Sequence, residues 1–277
     1  MIDCHTHTRN SPDGTDTPEN GALRAIQLGL KAYAVTEHCE ANRLYGPETA
    51  KISYNDEHYF NNLELFEHSM AENLKIKEKY SDTLNFINGI ELGQATHNFE
   101  DAQKIVCDER LDYIIGSVHE LELKQDFAFL DYSKEDIPML LSQYFSEIKK
   151  LCEWGRFDVL GHLTYPLRYI EGEAGIKTDL SVYDELIADC FRLMSEKGIG
   201  LEINTSGLRQ SYKKTFPELY YINMFRECKG QIITLGSDAH CTADIGSSIK
   251  YGTDLLRAAG FDKVYYFKNR KPYGMKI

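Results

Sequence analysis

Seven short apolar runs, rich in β-branched residues, alternate with longer helical patterns, and this alternation restricts the fold more than any other feature of the sequence. The runs are Met1–Thr8, Lys31–His38, Thr83–Leu92, Asp112–His119, Asp158–Leu163, Ile199–Thr205 and Gln231–Ser237. Strand and helix in regular alternation imply parallel strands joined by right-handed crossovers. The first helix has Thr17 as N-cap, Pro18 at its first position and Gly29 as its stop. The next spans about Asp56–Tyr80, with Tyr59, Leu63, Phe66, Met70 and Leu74 expected on one face. Others are expected near Glu135–Glu153, Ser181–Lys197, Pro217–Lys229 and Ile245–Gly260. A last apolar piece, Val264–Phe267, leads into a basic tail. The α/β reading is a TIM-barrel-like (β/α) barrel of seven units. An open doubly wound sheet is the alternative, but no Gly-x-Gly-x-x-Gly or P-loop element supports a nucleotide-binding form of it. With no Pro- or Gly-rich linker and no shift in composition, residues 1–277 read as one domain.

Six of the nine histidines lie at or just past the C-terminal end of an expected strand: His5, His7, His38, His119, His162 and His240. That is the face on which barrel enzymes build their sites. A lone histidine there is more often structural than a ligand, but six from five strands converge on one cavity. Carboxylates join them. Asp3, His5 and His7 alternate, so one strand face presents all three, and Asp238 and His240 repeat the pattern. Glu91 ends the third strand, Glu37 and His38 the second, and Asp13 lies in the loop after the first. Mixed imidazole and carboxylate donors suit Zn, Mn or Fe rather than Ca or Mg. Their number exceeds one coordination sphere, which implies two or three divalent ions with a carboxylate such as Glu91 bridging two. Clustered ions suit phosphoryl transfer, because they generate a hydroxide and hold the attacking and leaving oxygens in line.

Arg168 and Arg209 each follow a strand that ends at this face and could clamp phosphate in a bidentate way. The bland alternative is an ordinary surface arginine. Glu202 and Asn204 share parity on the sixth strand, with core hydrogen bonding as their default role. Cys4, Cys39 and Cys241 neighbour ligands, but Cys4 has the opposite parity to His5, which favours packing. His58, His68 and His97 lie away from the strand ends and are expected to be dispensable. A serine-hydrolase reading lacks its Gly-x-Ser-x-Gly elbow, and His-Glu-x-x-His is absent.

A net charge of −12 disfavours nucleic acid as the main partner, and no apolar run approaches a membrane span. The N-terminus shows no basic region followed by an apolar stretch, and the seven cysteines form no CxxC pair. Both point to reduced thiols in the cytoplasm.

His5-Thr6-His7 followed by Ser11-Pro12-Asp13-Gly14 resembles the opening motif of the PHP (polymerase and histidinol phosphatase) superfamily. Thr36-Glu37-His38, Gly89-Ile90-Glu91, Gly116-Ser117-Val118-His119, Gly161-His162 and Gly236-Ser237-Asp238-Ala239-His240 match its later motifs in order. The resemblance covers nearly the whole chain and implies a distorted seven-stranded β/α barrel. Less specific stretches, Gly161-His162 with Arg168-Tyr169 and Glu202 to Arg209, are similar to the monofunctional histidinol-phosphate phosphatases of that superfamily. The resemblance implies a metal-dependent phosphomonoesterase acting on L-histidinol phosphate in histidine biosynthesis. It also implies a ligand set: His5, His7, Glu91 and Asp238 around one metal, Glu91, His119 and His162 around a second, and Asp13, His38 and His240 at a third. Asp13 or His38 could instead supply the leaving-group proton, while Arg168 and Arg209 neutralise the outer phosphate oxygens. Glu40, Tyr165, Tyr169 and Glu171 are placed by position to meet the substrate's ammonium and imidazole. The alternatives are a PHP-type hydrolase of another small phosphate ester or a nucleotide phosphodiester, and a catalytically silent, metal-stabilised binding domain. The oligomeric state is left open.

Overall fold

The computed structural model describes residues 1–43 and 62–277. Seven parallel strands follow one another round the sheet in chain order: β1 (Ile2–Asp3), β2 (Ala32–Glu40), β3 (Asn85–Gly93), β4 (Tyr113–Ser117), β5 (Val159–Leu160), β6 (Gly200–Asn204) and β7 (Ile233–Gly236). The last returns to the first through Cys4 N to Leu235 O and His7 N to Ala239 O, each 2.8 Å, so the sheet closes into a barrel. The expected (β/α) barrel is the observed one, and the open sheet is excluded.

β1 and β5 are much shorter than their apolar runs. Past Asp3 and Leu160 side chains take over several of the backbone N–H groups, while Cys4 N, His7 N and Gly161 N still bond to neighbouring backbone. Thr6 N donates to Thr36 Oγ1 at 3.2 Å, Thr8 N to Glu37 Oε2 at 3.0 Å, and His162 N to Glu202 Oε2 at 2.8 Å. The strand ends therefore fray into polar loops at the C-terminal rim, as a face built for side-chain chemistry requires.

Helices α1 (Pro18–Gln27), α2 (Asn62–Lys79), α3 (Phe99–Val106), α4 (Ile137–Trp154), α5 (Asp184–Lys197), α6 (Leu219–Glu227) and α7 (Ile249–Ala258) connect the strands. In α1 the Thr17 side chain accepts from Asn20 N at 3.1 Å and Pro18 stands in the first turn. The start of the second expected helix, with Tyr59, falls outside the described residues. Its expected face needs correction, since Leu63 and Leu74 are exposed. The buried stripe is Phe66, Ser69, Met70, Asn73 and Ile76. Ser69 and Asn73 belong on it because Asn73 Nδ2 donates to Ser69 Oγ and Asn88 Oδ1, both at 3.1 Å, which offsets their desolvation. α3 has no counterpart among the expected helices, although Asn98 caps it by accepting from Asp101 N at 3.1 Å.

The expected basic tail is instead a hairpin of β8 (Lys263–Lys268) and β9 (Lys271–Lys276). Asn269 and Arg270 turn it, both with positive φ, at 49° and 60°. Val264 and Phe267 are buried against the barrel. At the strands' N-terminal end Arg270 Nε donates to Asp158 Oδ2 at 2.6 Å, and Asn269 N to Asp112 Oδ1 at 2.9 Å. The hairpin thus closes the end opposite the histidine-bearing rim. No helix among the described residues is long and apolar enough to cross a membrane.

Candidate metal centre

All nine residues proposed as ligands from the sequence meet at the C-terminal rim. Nε2 of His5 lies 3.1 Å from Nε2 of His7. These two atoms lie 3.4 and 3.5 Å from Glu91 Oε2 and 3.7 and 3.4 Å from Asp238 Oδ1. The other Glu91 oxygen, Oε1, faces different neighbours: Nε2 of His119 at 3.0 Å and of His162 at 2.6 Å, themselves 3.3 Å apart. Asp13 reaches His38 Nε2 at 3.6 Å and His240 Nε2 at 3.0 Å, and the ring of His7 stacks with that of His38 at 4.2 Å and that of His240 at 4.3 Å.

These separations suit divalent cations. Four donors at about 2.0–2.1 Å around a tetrahedral ion stand roughly 3.3–3.4 Å apart, close to the spacing of the first group. Hydrogen bonding supports the same conclusion. His5 Nδ1 is held by Glu202 Oε1 at 2.7 Å. The Ser11 hydroxyl donates to Glu37 Oε2 at 2.5 Å, so it accepts from His7 Nδ1 at 3.2 Å. Both Nδ1 protons are thereby assigned from their partners, and the two Nε2 atoms point at each other with one proton, or one cation, required between them. Every ion-pair partner of Glu91 among the described residues is an imidazole, and no lysine or arginine neutralises it.

The electrostatics follow from this crowding. Burial would raise the Glu91 carboxyl, but the charges of His119 and His5 outweigh it and hold it well below the usual carboxylate range. Asp238 is held down in the same way, chiefly by His5. Burial, reinforced by His38 and His240, pushes the His7 imidazole down to about 3. Burial would also lower His5, yet Glu202, Glu91 and Asp238 hold it well above the ordinary imidazole range. For Asp13, hydrogen bonds from His240 and His38 overcome the effect of burial and keep the carboxyl ionised.

A cavity of about 670 Å³ opens over the cluster. Arg168 and Arg209 both line it, but they differ in what holds them. The Arg168 guanidinium lies 5.1 Å over the Tyr169 ring, and its Nε is buried with no hydrogen-bond partner among the described residues. Arg209 is occupied: its terminal nitrogens donate to Ser237 O at 2.8 Å and Asp238 O at 3.2 Å, and Nε lies 3.4 Å from Asp244 Oδ2. Glu40, Tyr165 and Tyr169 line the cavity as expected, whereas Glu171 turns away and accepts from Thr178. Asp126, absent from the sequence reading, also faces the cavity and accepts from Tyr165 OH at 3.1 Å. It sits in an irregular loop where no periodicity marks it.

Two carboxylates grouped with the ligands by parity or position do other work. Asp3 accepts from Ser237 N, Ser237 Oγ and Gly246 N at 2.6–2.8 Å and ties β1 to the β7 loop. Glu37 holds Thr8 and Ser11. Cys4 and Cys39 are buried in the core, as parity implied for Cys4. His68 is exposed on α2, and His97 is buried 3.6 Å from Glu147. His58 lies outside the described residues.

Comparison with known proteins agrees with this geometry. Residues 3–206 match the model of the PHP domain. The histidinol-phosphatase of Lactococcus lactis is 26% identical over 285 residues, covering 100% of this chain and 96% of that protein. The histidinol-phosphatase of Bacillus subtilis is 29% identical over 268 residues, covering 88% and 95%. Among solved structures, histidinol phosphate phosphatase from Lactococcus lactis, complexed with zinc, L-histidinol and phosphate, superposes with a TM-score of 0.80 at 23% identity over 98% of each chain. The match over most of the chain, a barrel of the same build and the imidazole–carboxylate cluster at its rim agree: this chain belongs to the PHP domain family.

Proposed function

We propose that this chain hydrolyses L-histidinol phosphate to L-histidinol and inorganic phosphate, using two or three divalent cations from among Zn, Mn and Fe. The single observation that carries the reading is the division of the two Glu91 oxygens between His5 with His7 and His119 with His162, beneath a cavity that also receives Arg168. The relatives named histidinol-phosphatase, which align over nearly their full lengths, support the choice of substrate. On this reading residues 1–277 act as one metallophosphatase domain.

His5, His7, Glu91 and Asp238 would hold one cation, Glu91, His119 and His162 a second, and Asp13, His38 and His240 a third. When bound, such ions supply Lewis-acid charge to a phosphoryl oxygen and acidify a water. Arg168 faces the same space with donors to spare and would bind the outer phosphate oxygens, where charge grows in the transition state. Arg209 acts from behind, fixing the backbone that carries Asp238. Asp13 is ionised between two imidazoles, which favours a ligand over a proton donor. Asp126, Glu40 and the ring of Tyr169 give the cavity wall the acidic and aromatic character that a substrate with an ammonium and an imidazole requires.

The test is phosphate release from a panel of esters after loading with Zn, Mn or Fe. A preference for histidinol phosphate over simple alkyl phosphates and nucleotide diesters of about two orders of magnitude in kcat/KM, or roughly 2.7 kcal/mol, supports the reading. Faster cleavage of a nucleotide diester replaces it with a phosphodiesterase, and no release from any ester with metal bound replaces it with a binding domain.

A further inference from the structure

Below the ligands, one carboxylate touches two of the metal-binding groups at once. Glu202 projects from β6 into the barrel and is 1% exposed. Its Oε1 accepts from His5 Nδ1 at 2.7 Å, and its Oε2 accepts the backbone N–H of His162 at 2.8 Å. His5 belongs to the group with His7 and Asp238, and His162 to the group with Glu91 and His119. Apart from these two, Glu202 receives among the described residues only a long contact from Asn204 Nδ2 at 3.4 Å.

Two motif glycines make room for this layer. A Cβ on Gly236 would stand 2.3 Å from Glu202 Oε1 and 2.4 Å from the Cβ of His5. A Cβ on Gly161 would stand 2.6 Å from Ser117 Oγ, the hydroxyl that donates to Glu91 Oε1 at 2.8 Å. Both sites need glycine for close approach, and what approaches is the second layer of the centre. A carboxylate on the far nitrogen of a ligand imidazole fixes its tautomer and raises its basicity toward a metal. Among the described residues Glu202 has no lysine or arginine partner, and such a buried carboxylate is costly unless the imidazole it faces is polarised by positive charge.

We infer that Glu202 is a positioning residue that aims His5 and anchors His162, and so sets how tightly the two ligand groups sharing Glu91 retain divalent cations. The inference rests on the metal reading of those groups. It assigns Glu202 no contact with substrate.

Zinc affinity, measured by competition with a chromophoric chelator, tests it. Asp158 is a buried carboxylate at the opposite end of the barrel, paired with Arg270 and far from every ligand, so Asp158→Asn is the matched control. Glu202→Gln should weaken zinc binding about 10- to 100-fold, because an amide cannot accept from both His5 Nδ1 and His162 N. Asp158→Asn should lose thermal stability with zinc affinity unchanged. If circular dichroism shows Glu202→Gln unfolded, Glu202→Asp carries the test: it keeps the charge, ends one methylene short and should also weaken zinc. Zinc affinity in the folded Glu202 variant equal to wild type, or an equal loss in Asp158→Asn, overturns the inference while leaving the metal reading intact. A wild-type protein that binds no zinc, manganese or iron overturns both.

Discussion

Arg209 ties down Asp238 by its backbone, donating to the carbonyl oxygens of Asp238 at 3.2 Å and of the preceding Ser237 at 2.8 Å. Asp238 has φ of 53°, a left-handed conformation that a non-glycine residue keeps only where its surroundings impose it. Arg209 and the Asp238 N to His5 O bond of 2.8 Å are that imposition.

The two arginines should therefore fail in different ways. The sequence alone treats both as phosphate clamps. Arg168→Lys should lose roughly a hundredfold in kcat/KM, with metal content kept, because a point charge replaces a bidentate donor in a water-poor pocket. Arg209→Lys should lose metal as well as rate, since the turn that aims Asp238 is released. Steady-state kinetics with parallel metal analysis separate the two, and identical phenotypes would refute the distinction.

The third ligand group should be the most labile. Its side chains are the exposed ones: Asp13 59%, His240 29% and His38 18%, against 1%, 6% and 3% for Glu91, His119 and His162. Water and chelator reach the former without opening the barrel. Timed treatment with a chelator should strip one ion quickly and the rest slowly. A single phase for all bound metal contradicts this ordering.

Metal uptake should expel protons. Despite burial, which lowers them, His5, His38 and His119 sit well above the ordinary imidazole range because carboxylates surround them. At near-neutral pH the metal-free protein therefore holds imidazolium where a cation needs a lone pair. Proton release should be full below these raised pKa values and fade as pH rises through them, so affinity climbs with pH. Calorimetry of zinc binding in buffers of different ionisation enthalpy reads it. Heats independent of the buffer would show that the sites are already deprotonated.

At the other end of the barrel, Arg270→Ala should cost stability but not chemistry. It leaves the buried Asp158 without its guanidinium partner and frees the hairpin turn. We expect a loss of about 2 kcal/mol in denaturant unfolding with metal content unchanged. A loss of metal instead would mean that the hairpin acts on the rim.

The residues of the rim cluster were legible in the sequence because strand ends are marked twice, by β-branched runs and by the residues that follow them. His5, His119, His162 and Asp238 each come within a few residues of such a run. What the parity rule could not show is that β1 ends at Asp3. From there side chains accept from Thr6 N and Thr8 N while Cys4 N and His7 N still bond toward β7, and Asp3 goes to Ser237 and Gly246 while His5 and His7 reach the cluster. The α2 face was misread because apolar spacing alone cannot announce that Ser69 and Asn73 are buried in pairs. The hairpin was missed because its turn residues, Asn269 and Arg270, lack the glycine that usually marks such a turn. The separate tasks of Arg168 and Arg209 depend on carbonyls that only tertiary structure brings near.

Glu91 would lie between two cations, with Oε2 toward His5 and His7 and Oε1 toward His119 and His162. Anomalous scattering from crystals grown with zinc, recorded on both sides of the metal's absorption edge, tests this most directly. The expected map has separate peaks within about 2.0–2.2 Å of each Glu91 oxygen, one beside His5, His7 and Asp238 and the other beside His119 and His162. A single peak, or peaks that leave either Glu91 oxygen without a metal, would contradict it.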